Sequence, residues 1–82
     1  MSKLEKLLLK LQQTRTTIEW REIVSLLVML GYEKKEMSGS RVRFYHHGTK
    51  HLILLRRPHP ESYLKGGALR AIRDALVAEG YL

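Results

Sequence analysis

The spacing of apolar residues changes from a helical to a strand period at Gly31, and that change excludes both an all-helical bundle and an all-β sandwich. Before it, Leu4, Leu7, Leu8 and Leu11 fall at i, i+3, i+4 and i+7, so they line one side of a helix while Lys3, Lys6 and Lys10 take the other. This predicts an amphipathic helix over residues 2–13, with Ser2 and Glu5 suited to a capping box. Gln12-Gln13-Thr14-Arg15-Thr16-Thr17 has no period, and its threonines lose rotamer freedom in a helix, so it reads as a linker or a short extended segment. A second helix opens between Ile18 and Trp20, carries Trp20, Ile23, Val24, Leu27 and Leu30 on one face, and stops at Gly31.

Beyond Gly31 the period falls to about 2, and three strands follow at roughly residues 32–37, 41–46 and 51–56. Ser38-Gly39-Ser40 joins the first pair and His47-Gly48-Thr49 the second. A hairpin closed by residues 47–50 sets Arg41 opposite Arg56 and Val42 opposite Leu55. Val42 and Phe44 then face a core, while Arg41, Arg43 and Tyr45 face water. Arg57-Pro58-His59-Pro60 cannot prolong a central strand, because proline has no N–H to donate. Leu69, Ile72 and Leu76, with Ala68 and Ala75, mark a last helix over residues 67–78, ended by Gly80. The expected class is therefore α+β: a leading helix over residues 1–15, then an α-β-β-β-α domain over residues 16–82. Its three-stranded antiparallel sheet is covered on one face by two helices, the element order of a double-stranded-RNA-binding domain.

At 82 residues the chain supports one core and not two. It has no cysteine, which excludes disulfides and thiolate metal sites, and no apolar run near the roughly 18 residues of a membrane span. No signal-peptide core is visible at the start, so the expected location is the cytoplasm, with no membrane partner. The net charge of +7 is concentrated: residues 34–73 hold ten Lys and Arg against two Glu, and the rest of the chain sums to −1. A polyanion explains that localisation, since each neutralised phosphate releases counterions. Protection of exposed strands from aggregation is the alternative. Gly66-Gly67 at a helix start beside Lys65 suits an anion, although the Lys-Ser/Thr of a P-loop is missing.

Four histidines are available for proton transfer near neutral pH: His46, His47, His51 and His59. The first three crowd the hairpin tip, where they are expected to be solvent-exposed; no neighbouring carboxylate completes a metal-ligand set, so no metal is expected. His59 follows the far end of the third strand, close to Ser40 and Arg41. There an imidazole, a hydroxyl and a guanidinium can converge on one phosphodiester, unless His59 instead makes a hydrogen bond that pins the turn. No nucleophile-elbow motif or cysteine supports a triad.

Ile18-Glu19-Trp20-Arg21-Glu22-Ile23, Leu30-Gly31, Gly39-Ser40-Arg41-Val42-Arg43-Phe44 and Arg57-Pro58-His59-Pro60, leading to Leu64-Lys65-Gly66-Gly67-Ala68-Leu69-Arg70, together resemble the HicA family of toxins from bacterial type II toxin–antitoxin modules. The resemblance covers about residues 16–82. It implies a small messenger-RNA interferase, an endoribonuclease that blocks translation and is held inactive by a HicB-type antitoxin, with oligomers formed through that antitoxin. It requires no cofactor. Many members of the family place a catalytic histidine after the Gly-Ser of the second strand, and this chain has Arg41 there; an arginine stays protonated at neutral pH and cannot act as a base. Acid/base work is accordingly expected of His59, with Arg41 at the reacting phosphate and Ser40, Arg43, Arg56, Arg57, Lys65 and Arg70 as further RNA contacts. Two other readings stay open: a non-catalytic RNA-binding module, and an interaction domain whose basic face serves an acidic protein.

Overall fold

The computed structural model of the chain describes residues 2–82. Helix α1 runs Lys3–Gln13 and is capped by Ser2, whose Oγ accepts a hydrogen bond from the Glu5 N–H at 3.1 Å. Leu7 and Leu11 are its buried residues. Strand β1 spans Thr17–Glu19 and leads directly into α2, Trp20–Met29, which buries Ile23, Leu26 and Leu27. Strands β2 (Tyr32–Glu36), β3 (Arg41–His46) and β4 (His51–Arg56) follow, then β5 (Tyr63–Lys65) and α3 (Gly67–Ala78).

The order across the larger sheet is β2-β3-β4, antiparallel throughout, with Arg41 opposite Arg56 and Val42 opposite Leu55 as the hairpin spacing requires. Val42, Phe44 and Ile53 point inward and are buried, whereas Arg41, Leu54 and Arg56 on the opposite face are exposed. Helix α2 packs on β2, α3 on β4, and α1 against both helices, so Leu11, Leu27, Phe44 and Leu76 meet in one continuous core with no surface left to water. Among the described residues the fold is α+β, with three helices and a three-stranded antiparallel sheet.

Strand β1 takes Thr17 from the tract read as a linker or short extended segment, and Ile18 and Glu19 from the expected start of the second helix. Thr17–Glu19 pairs antiparallel with Tyr63–Lys65, Ile18 lying opposite Leu64, and both of those side chains are buried. This second, two-stranded sheet joins the start of α2 to the start of α3. Its strands of three residues are too short for any period to show in the sequence.

Arg73, one of the ten basic residues of the charged stretch, is engaged inside the fold. Its Nε donates to the Leu11 carbonyl at 3.0 Å and its Nη2 to the Thr14 carbonyl at 2.8 Å, which satisfies acceptors that the end of α1 leaves without helical partners. Arg73→Ala is expected to destabilise the chain by about 2–3 kcal/mol, read as a lowered urea midpoint. Arg73→Lys should recover only part of this, because one ammonium cannot reproduce the two-pronged donation of a guanidinium.

Candidate active site at the end of the central hairpin

Strand β4 ends at Arg56, and the Arg57 N–H then donates to the Ser40 carbonyl at 2.7 Å, which ties the outgoing chain to the turn that precedes β3. That turn passes through Gly39 at φ 73°, a left-handed conformation that glycine adopts without a Cβ penalty. The chain leaving Arg57 is thereby directed past the same turn. A cleft of about 210 Å³ results, lined by Glu36, Gly39, Ser40, Arg41, Arg57 and His59.

The side chains around this cleft are partly fixed. Arg41 donates from Nη2 to the Ser38 hydroxyl at 3.2 Å, and Arg57 Nη2 pairs with Glu36 Oε1 at 2.6 Å, while Lys34 lies 3.7 Å from the other Glu36 oxygen. The imidazole of His59 is exposed and makes no hydrogen bond among the described residues. The turn is held by the Arg57 backbone bond, not by a bond from the histidine ring. An unengaged imidazole, two guanidiniums and a hydroxyl therefore border one solvent-open cleft, a set able to accept a proton and to hold a phosphate.

The remaining residues picked out from the sequence lie elsewhere. Arg43 and Arg56 are on the outward face of the sheet, where the Arg43 guanidinium sits 5.2 Å from the centre of the Tyr45 ring. Lys65 ends β5, and Arg70 borders a separate cleft of about 230 Å³ at the start of α3, together with Arg15, Gly66 and Gly67. Glu36 was not singled out by the sequence reading. The available signal was its rarity, as one of two carboxylates in the basic stretch.

The hairpin tip departs from expectation. His47 is exposed, 3.5 Å from Glu33, but His46 and His51 are half-buried and engaged. His46 donates from Nε2 to the Leu30 carbonyl at 3.1 Å and accepts the Thr49 N–H on Nδ1 at 3.0 Å, so its neutral ring bridges the end of α2 to the β3–β4 turn. His51 Nδ1 meets the Tyr32 hydroxyl. Burial, helped by Tyr81 and Glu79, raises the Tyr32 phenol from 10.0 to about 12, so it keeps its proton well above neutral pH. An unfolded Tyr32 ionises near 10, before the folded one does. The contribution of Tyr32 to stability is therefore complete below pH 10 and expected to be lost, by on the order of 2 kcal/mol, as pH rises from there to about 12. Urea unfolding across that window checks this, and Tyr32→Phe should flatten the decline. Among the described residues no group of three or more His, Asp or Glu is placed to hold a metal ion.

The chain is a small basic α+β protein with a histidine and two arginines bordering a cleft at one end of its sheet. A family model described as HicA toxin of bacterial toxin-antitoxin matches residues 20–77, and the chain belongs to that family. It is a toxin of a toxin–antitoxin system, and membership implies an antitoxin as partner. The match spans the cleft, β5 and most of α3, and leaves out α1. No curated protein and no solved structure matches the chain. No helix among the described residues is long and apolar enough to cross a membrane.

Proposed function

We propose that the chain is a metal-independent messenger-RNA interferase, with the Ser40, Arg41, Arg57 and His59 cleft as its active site and a HicB-type antitoxin as its inhibitor. The observation that carries this reading is the convergence of an unengaged imidazole with two guanidiniums in one open cleft, in a chain of a toxin family. The unit of function is residues 16–82, with residues 1–15 as an extension.

His59 accepts the proton of a ribose 2′-hydroxyl as that oxygen attacks the adjacent phosphorus. Arg41 and Arg57 stabilise the negative charge that builds on the phosphoryl oxygens. The bond from phosphorus to the 5′-oxygen breaks, and that oxygen takes its proton from water, which reaches the exposed cleft. The products are a 2′,3′-cyclic phosphate and a free 5′-hydroxyl. Arg43, Arg56, Lys65 and Arg70 lie outside the cleft and hold flanking phosphates, which orients the RNA without adding sequence preference. The same positive surface suits an acidic antitoxin.

A second reading has one observation in its favour. By the resemblance, Arg41 takes the place of a histidine that many family members carry after the Gly-Ser, and a guanidinium there fits a phosphate-holding module that binds RNA without cutting it. Induced expression separates the two. A ribonuclease stops growth and leaves cut transcripts, and the arrest is relieved by the cognate antitoxin. Normal growth with intact transcripts, at matched protein levels, contradicts the interferase and favours the binding module.

A further inference from the structure

Arg57 borders a second cavity as well as the cleft. This one measures about 510 Å³, and its other walls include Glu19, Trp20, Arg21, Pro58 and Glu61. It is formed where the small sheet meets α2: Glu19 closes β1 opposite Tyr63, and the Trp20 N–H donates to the Ser62 carbonyl at 2.8 Å. The indole of Trp20 is set from the core side by edge-on contact with Phe44, the ring centres lying 6.2 Å apart. Its partly exposed remainder walls the cavity.

This wall mixes charges, Glu19 and Glu61 standing with Arg21 and Arg57, whereas residues 34–73 as a whole hold ten Lys and Arg against two Glu. Glu61 is one of only two carboxylates in residues 34–73. The other, Glu36, is paired with Arg57 and Lys34, whereas neither Glu61 nor Glu19 has an ion pair or hydrogen bond on its side chain among the described residues. Glu19 stands at the N-cap of α2 and yet caps none of its N–H groups. Arg21 and Arg57 in the same wall suit a phosphate, which leaves the two free carboxylates as acceptors. They suit a ligand that presents N–H donors, and an aromatic wall suits a flat ring.

Guanine presents two adjacent donors, N1–H and N2–H, on its pairing edge, and these match the two oxygens of one carboxylate. Adenine and cytosine set a single amino donor beside an acceptor, and uracil sets one N–H between two carbonyls. A nucleotide whose base fills this cavity brings its phosphate toward Arg57, where the cleft begins. We propose that the cavity is a base-reading subsite that selects guanine next to the phosphate held at Arg57, with Trp20 as stacking surface and Glu61 and Glu19 as acceptors. This rests on the RNA-cleaving reading above for its substrate, and is tested apart from cleavage.

Trp20 is the sole tryptophan of the chain, so its fluorescence reports directly on the cavity. The whole protein is titrated with the 3′-monophosphates of guanosine, adenosine, cytidine, uridine and inosine. Guanosine is expected to quench at about tenfold lower concentration than the other standard nucleotides, and inosine, which lacks the N2 amino group, to lose most of that advantage. Glu61→Gln or Glu19→Gln should reduce the preference about tenfold, since an amide offers one acceptor where a carboxylate offers two. Equal quenching by all five nucleotides, or a guanosine preference that survives both substitutions and inosine, overturns the subsite. RNA cleavage that proceeds with no nucleotide preference overturns the subsite and leaves the ribonuclease standing. Guanosine preference in a protein that cuts no RNA supports the subsite and removes the ribonuclease.

Discussion

Replacement of His59 by alanine is expected to lower the rate of RNA cleavage by about two to four orders of magnitude, the range that loss of a positioned general base costs. His59 is exposed and makes no hydrogen bond among the described residues, so the urea midpoint of His59→Ala should match that of the parent chain. That contrast assigns the loss to chemistry and not to unfolding. Arg41→Ala should cost on the order of 100-fold or more in rate, as removal of one charge-stabilising donor does elsewhere. His47→Ala, at the opposite end of the hairpin, should cut RNA at the parent rate, because no step uses that ring. A His59→Ala protein that retains full activity removes His59 from the mechanism.

Gly31→Ala carries the largest expected effect on stability. Gly31 has φ 103°, a conformation that side chains rarely adopt, and a Cβ there would stand 2.7 Å from His46 Nε2. That nitrogen is the donor to the Leu30 carbonyl, so the methyl group both strains the backbone and displaces the ring that joins α2 to the β3–β4 turn. The combined cost is expected to be about 3 kcal/mol or more, a large share of the roughly 5–15 kcal/mol that stabilises a typical domain. The measurement is the urea midpoint of Gly31→Ala, His46→Ala and the double variant. The double variant should be more stable than the sum of the singles predicts, because removal of the ring relieves the clash but leaves the backbone strained. Full additivity contradicts the proposed contact.

The elements carried by long periodic runs were legible from the residues alone. The leucine stripe of α1, the limits of α3 and the pairing of Arg41 with Arg56 follow from spacing, because a buried face of three or more turns or a closed hairpin leaves little choice of register. The β1–β5 pair did not show, since three residues carry no period and the partners are separated by the whole central sheet. The roles of His46, His51 and Arg73 were equally hidden. Each depends on a carbonyl, hydroxyl or ring supplied by a distant element, and nothing in the local sequence distinguishes an engaged side chain from a solvated one. The approach of His59 to Ser40 and Arg41 was legible for a plain reason: hairpin register places the two ends of β3 and β4 together, and a Pro-flanked segment leaving one end must pass the other. The division of the basic residues among the cleft, the outer sheet face and the start of α3 was not, because charge counting along the chain carries no information about direction.

The proposed chemistry of the cleft cuts RNA through the neighbouring 2′-hydroxyl without a metal ion. The most direct measurement incubates the purified chain with a defined messenger RNA in excess chelator and determines the chemistry of the new ends. Cleavage that persists in chelator, gives 2′,3′-cyclic phosphate and 5′-hydroxyl ends, and is lost in His59→Ala is the predicted result. RNA that stays intact, or that is cut only with added divalent metal to give 5′-phosphate ends, contradicts it.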